Sequence, residues 1–216
     1  MNQMIYTMDE VIKSLQDTFC GSSNGLEESD LYDWQSDNFP HLHTGCGATR
    51  FVCWDNDWGV VLKINLSAEY DNDYCAFEAS NYEEAEAMGI EAILLPTKRI
   101  AEIGNGDFIY FQPRYTCELA TLPHDERNRL EKLAKKVIAG KIYNRSLSHC
   151  YDKRRIHYLW YARAYQMYGK KFMKRFEEWT NRFKVGDLHN HNVGFLDGKP
   201  ILLDYAGFFG NRARNC

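Results

Sequence analysis

Apolar positions along this chain repeat with two different periods, and the change of period marks its organisation. From Thr7 to Phe19 the helical spacing places Val11, Ile12, Leu15 and Phe19 on one face, with Thr7 or Asp9 available as the N-cap. A polar break follows at Gly21 to Gly25. The period then shortens: Leu42 to Thr44, Thr49 to Trp54 and Gly59 to Leu66 read as strands, with Asp55-Asn56-Asp57 turning between the last two. Tyr74 to Met88 returns to the helical period. Beyond it lie the short apolar run Ile93-Leu94-Leu95-Pro96 and a further strand, Phe108-Ile109-Tyr110-Phe111-Gln112-Pro113. Helices are expected at about Asp125 to Ala139 and Tyr158 to Phe183, and an apolar run closes at Asp204. No internal repeat or low-complexity tract interrupts this order. The pattern is α+β, with a hairpin-rich first half and a helical second half.

Composition narrows the picture. A chain of 216 residues and 25.3 kDa is long enough for one large domain or two small ones. Its net charge of −4 and pI near 6.0 supply no global basic field, so neither nucleic acid nor an anionic membrane is an expected partner. Charge is regional: Glu27-Glu28-Ser29-Asp30, Asp33 and Asp37 make the start acidic, whereas Tyr161 to Lys184 is rich in Lys and Arg, a pattern typical of a solvated helix face. The seven cysteines are scattered without a Cys-x-x-Cys pair, which argues against a disulfide framework. There is no basic-apolar leader and no apolar run near the ~18 residues of a membrane span. The expectation is a thiol-reduced cytoplasmic protein with no membrane span.

Candidate chemistry is concentrated near the end, where the chain reads Val185-Gly186-Asp187-Leu188-His189-Asn190-His191-Asn192 and later Asp204-Tyr205-Ala206-Gly207. A carboxylate five residues before an amide, with a second carboxylate ending a strand beyond a Gly-rich turn, is a set of oxygen donors suited to a nucleophilic hydroxyl and Mg²⁺. His189 and His191 lack the cysteine pair that a four-ligand zinc site needs. Upstream, Gly45-Cys46-Gly47-Ala48-Thr49-Arg50-Phe51-Val52 can bring backbone amides close to phosphates. Trp58-Gly59-Val60-Val61-Leu62-Lys63-Ile64 then reads as a strand with one inward lysine. Such a lysine needs a carboxylate, because an isolated buried charge is costly to desolvate. Glu78, Glu83, Glu84 and Glu86 compete; Glu78 is preferred because Phe77, Tyr82 and Ala85 surround it at helical spacing.

These segments, in this order, resemble the protein-kinase superfamily, above all its aminoglycoside and choline phosphotransferase branch. The resemblance matches Asp187 to the catalytic aspartate, Asn192 to the metal-binding asparagine and Asp204 to the first residue of the Asp-Phe-Gly triplet. It matches Gly45 and Gly47 to the first glycines of the phosphate loop, Lys63 to the phosphate-binding lysine, and Glu78 to its ion-pair partner. Backbone around Gln112 to Tyr115, Gln112 and Arg114 above all, is implied as the adenine contact. The chain departs from the pattern in reading Asp-Tyr-Ala for the triplet, in Val185-Gly186 for the His-Arg pair, and in placing Arg50 at the third glycine.

The implied fold is two-lobed and covers about residues 41–210: an N-terminal extension at 1–40, an antiparallel β small lobe at 41–114 and a reduced helical large lobe at 115–216. Little sequence follows Asp204 before Cys216, which resembles the minimal kinases of bacteriophages and bacterial effectors and implies host cytoplasm if the origin is of that kind. The implied function is transfer of phosphate from ATP, with Mg²⁺, to protein Ser or Thr. Two alternatives stay open: a kinase of small hydroxylated molecules, and a pseudokinase-like module that binds a cellular or host protein without turnover.

Overall fold

The structure is a computed structural model describing residues 6–21, 26–47, 49–66, 73–104, 107–114, 122–138, 158–185, 188 and 192–206. It is α+β. Two compact units divide the chain: residues 1–79 with 96–114, and residues 80–95 with 115–216.

The first unit is built on a five-stranded antiparallel sheet, in the order β1-β2-β3-β5-β4. Its strands are β1 (His43–Cys46), β2 (Arg50–Trp54), β3 (Val60–Asn65), β4 (Lys98–Gly104) and β5 (Asp107–Pro113). Strand alternation sorts the side chains between two faces. Phe51, Cys53, Leu62, Ile64 and Ile109 point one way, and their registers, Phe51 opposite Ile64 and Leu62 opposite Phe111, keep that face apolar throughout. Two helices cover it, α1 (Met8–Phe19) and α2 (Glu28–Asn38), burying Val11, Leu15, Leu31 and Trp34 in the same core. Each fully buried Leu, Ile or Phe there contributes about 1.5–3 kcal/mol of transfer free energy.

Thr7 caps α1 through a capping box: its side chain accepts from the Glu10 amide, and Glu10 accepts from the Thr7 amide at 2.8 Å. α2 was not evident from sequence. It buries only Leu31 and Trp34, and its N-cap Glu27 makes no side-chain cap. Tertiary packing stabilises it, including a 3.1 Å bond from Trp34 Nε1 to Ser14 Oγ of α1. α1 and α2 are therefore part of the sheet's core. β4 was equally unforeseen. It is an edge strand with two register shifts, most of its side chains are exposed, and Gln16 of α1 caps its edge by donating to the Glu102 carbonyl at 2.7 Å.

The chain leaves the first unit within α3 (Tyr74–Met88), whose bounds are those read from sequence. α3 ends in a Schellman motif, with Gly89 at φ 63° and the Ile90 amide donating to the Ala85 carbonyl. The second unit buries Ile90, Ile93 and Leu94 together with side chains of α4 (His124–Ile138) and α5 (Tyr158–Arg182). α5 is not continuous: Gly169, at φ 80° and ψ 169°, interrupts it. On its second half Met173, Phe176 and Trp179 are buried, whereas Lys170, Lys171, Lys174 and Arg175 are exposed, the solvated basic face expected. A hairpin follows, β6 (Val193–Leu196) and β7 (Lys199–Leu202), turned by Asp197 and Gly198 at φ 51° and 72°. Both φ values are positive, as a type I′ turn requires.

Candidate functional site

The second face of the sheet has a different chemistry. Register places Val52 opposite Lys63, Arg50 opposite Asn65 and Gln112 opposite Val61, so Arg50, Lys63 and Gln112 project from one side. The first turns of α3 bring Glu78 to them, in part because Asp73 caps that helix by accepting from the Ala76 amide at 2.9 Å. Lys63 Nζ donates to Glu78 Oε2 at 2.6 Å, and Arg50 Nη1 donates to Glu78 Oε1 at 3.0 Å. One carboxylate thus bridges two cations, each through a different oxygen.

A neutral pair closes the network. Lys63 also donates to Gln112 Oε1 at 3.2 Å, Gln112 Nε2 donates to Thr97 Oγ1 at 3.0 Å, and Thr97 donates to Glu78 Oε2 at 3.2 Å. Lys63, Glu78, Thr97 and Gln112 are all buried. Burial of this kind is tolerated only when each polar atom is satisfied, which the closed ring of four side chains achieves.

Neighbouring groups feel the same environment. The Cys75 thiol is pushed up to about 12 by burial, against the opposing pull of Arg50 and Lys63. Burial and a hydrogen bond to Asp73 raise the Tyr110 hydroxyl in the same direction.

Of the glycine segment, Gly45 lies in β1 and Gly47 just after it. Gly47 N–H donates to the Arg50 carbonyl at 2.9 Å, and the Leu66 amide donates to the Thr49 carbonyl at 2.9 Å. A Cβ on Gly45 would stand 3.3 Å from Val52 Cγ2, so close strand approach accounts for glycine there. Gln112 enters the site by its side chain, while its backbone lies in β5 opposite Val61. The Arg114 amide donates to the Gly59 carbonyl at 2.9 Å, and its guanidinium donates to Asn56 Oδ1 at 3.1 Å. The backbone contacts expected of these two residues are thus occupied within the sheet at Arg114, and the role of Gln112 visible here is the lysine network.

In the second unit, Asn192 precedes β6 and Asp204 follows β7, both at the open end of the hairpin. Val193 pairs with Leu202, and one step further the Leu203 amide donates to the Asn192 carbonyl at 2.9 Å. Asp204 follows the paired stretch and is not itself in β7. The two residues after it are anchored: Asn81 Nδ2 donates to the Tyr205 carbonyl at 2.8 Å, and the Tyr205 ring packs 5.9 Å from that of Trp179. Trp179 Nε1 in turn donates to the Asn81 carbonyl at 3.2 Å.

Asn81 was missed by sequence reading, although it lies one helical turn after Glu78, where a polar residue on a buried face is a recognisable signal. α5 leads toward the other expected residue through Lys184, at φ 57°, with the Val185 amide donating to the Thr180 carbonyl. Asp187 itself, with Gly186, His189 and His191, lies outside the described residues.

An amide and a carboxylate suit a hard cation where they converge, since Mg²⁺ takes one or two protein oxygens and completes its shell with water and phosphate. Asn192 and Asp204 carry oxygens of those two kinds. Among the described residues no three His, Cys, Asp or Glu side chains are grouped to hold a metal, and no helix is long and apolar enough to cross a membrane. No family model matches the chain, and neither a curated protein nor a solved structure matches it.

Proposed function

We propose that this chain is an ATP- and Mg²⁺-dependent phosphotransferase acting on a hydroxyl, with protein Ser or Thr as the first acceptor to test. The single observation that carries the reading is the buried Lys63–Glu78 pair at 2.6 Å, on the third strand and the following helix of a five-stranded antiparallel sheet. A buried ion pair is weak as a stabilising device, because apolar residues of similar volume do as well or better. Its presence is better accounted for by a ligand, and a lysine held by a helix-borne glutamate is the arrangement that protein kinases use for the phosphates of ATP.

The remaining roles follow from chemistry. Lys63 binds phosphate oxygens and Glu78 holds its ammonium in place. Asn192 and Asp204 hold Mg²⁺, which when bound neutralises charge on the phosphates. Asp187 orients the acceptor hydroxyl and takes its proton as the new O–P bond forms. ADP departs with the electrons of the broken P–O bond. Little covalent chemistry is asked of the protein: positioning and charge supply most of the rate.

Ligand-linked stability tests the binding half of this reading. ATP with Mg²⁺ at a hundred times its Kd should stabilise the protein by about 2.7 kcal/mol, and K63M should remove most of that gain at the same concentration. Unchanged stability of the wild type with saturating ATP and Mg²⁺ would contradict it.

A further inference from the structure

Arg50 stands where the phosphate loop of the resembled family has a glycine, and the structure gives it a place. Its guanidinium projects from the same sheet face as Lys63 and shares Glu78 with it. The side chain of Glu78 is 0% exposed, whereas those of Lys63 and Arg50 are 7% and 11% exposed. The solvent-accessible side-chain surface of this triad therefore belongs to the two cationic residues, and the carboxylate is enclosed.

The adjoining turn adds a second observation. The Gly47 amide is directed to the Arg50 carbonyl, across the turn, at 2.9 Å. A loop whose amide is used internally offers less to an anion, and contact with that anion falls to side chains. Arginine suits the task because its planar fork can bind a carboxylate on one edge and phosphate on another.

We infer that Arg50 is a second phosphate-binding cation beside Lys63, so that this face of the sheet selects a polyphosphate chain over a single phosphate. The inference deepens the proposed function and rests on its assignment of Lys63 as the phosphate-binding lysine. Lys63 and Arg50 reach Glu78 from different strands, β3 and β2, and two cations so spaced suit adjacent phosphoryl groups.

Inorganic tripolyphosphate is a probe that carries the charge without the base. Its binding to the full chain, followed by calorimetry for wild type, R50M and R50K, tests the inference. The expected result is binding by the wild type, loss of about tenfold or more in R50M, as befits one hydrogen bond between charged groups, and partial recovery in R50K. Wild-type affinity in R50M would overturn the inference, as would R50K as weak as R50M or a wild type that does not bind tripolyphosphate. Lower affinity in R50M together with no phosphate transfer from ATP by the wild type would leave Arg50 as an anion contact and remove the phosphotransferase reading.

Discussion

Replacing Glu78 by glutamine keeps its volume and removes the charge that Lys63 and Arg50 share. In the folded protein, Glu78 accepts from Lys63 at 2.6 Å, Arg50 at 3.0 Å and Thr97 at 3.2 Å, in a position with no solvent exposure. E78Q leaves the buried Lys63 with Gln112 as its neutral acceptor and no carboxylate. Removing one partner of a buried pair costs about 3–5 kcal/mol, which is a third or more of the stability of an ordinary domain. K63M is predicted to be milder. It leaves Glu78 with Arg50 and Thr97, so its cost is nearer the roughly 1–3 kcal/mol of a hydrogen bond to a charged group. Urea titration measures both, and hydrogen exchange at β3 and β5 amides reads the first unit by itself. A cost below about 1 kcal/mol for E78Q, or a K63M protein no more stable than E78Q, would refute the account of this network.

Two further outcomes follow from packing and protonation. The Cys53 and Cys75 thiols are pushed up to about 12 by burial from an ordinary value of 9.0, so the folded state retains protons that the unfolded state releases. Their contribution is present in full below pH 9.0 and is lost as pH rises toward about 12, and C53A should flatten that decline in a stability–pH series. Gly89 has φ 63°, and a Cβ there would meet Arg175 Nη1 at 3.1 Å. G89A should therefore lower the urea midpoint by an amount equivalent to about 1 kcal/mol or more, and a midpoint equal to wild type would argue against the Schellman geometry at the end of α3.

Much of the first unit was legible because its signals are local and periodic. The β-branched run around Lys63 has period two and the Tyr74–Met88 segment has period 3.6, so one inward lysine and one inward glutamate could be named from spacing. α2 escaped because its two buried side chains are too few to set a period, and the surrounding acidic residues obscured them. β4 escaped because an edge strand needs little apolar patterning.

Within the site, the unread part was cross-strand. Nothing in the order of residues states that Arg50 on β2 reaches the same carboxylate as Lys63, or that Gln112 and Thr97 close the ring, since those contacts depend on register. The Asp197-Gly198 dipeptide, by contrast, is a readable hairpin signal, and the register it sets brings Asn192 opposite Leu203, next to Asp204 in the chain.

Transfer of label from [γ-³²P]ATP decides whether the protein moves phosphate. The full chain is incubated with Mg²⁺ and a generic protein acceptor, in parallel with K63M and D187N. Label is expected on the acceptor or on the chain itself, requiring Mg²⁺ and lost in both variants. Wild-type protein that transfers no label, or variants that transfer it as well as the wild type, would contradict that expectation.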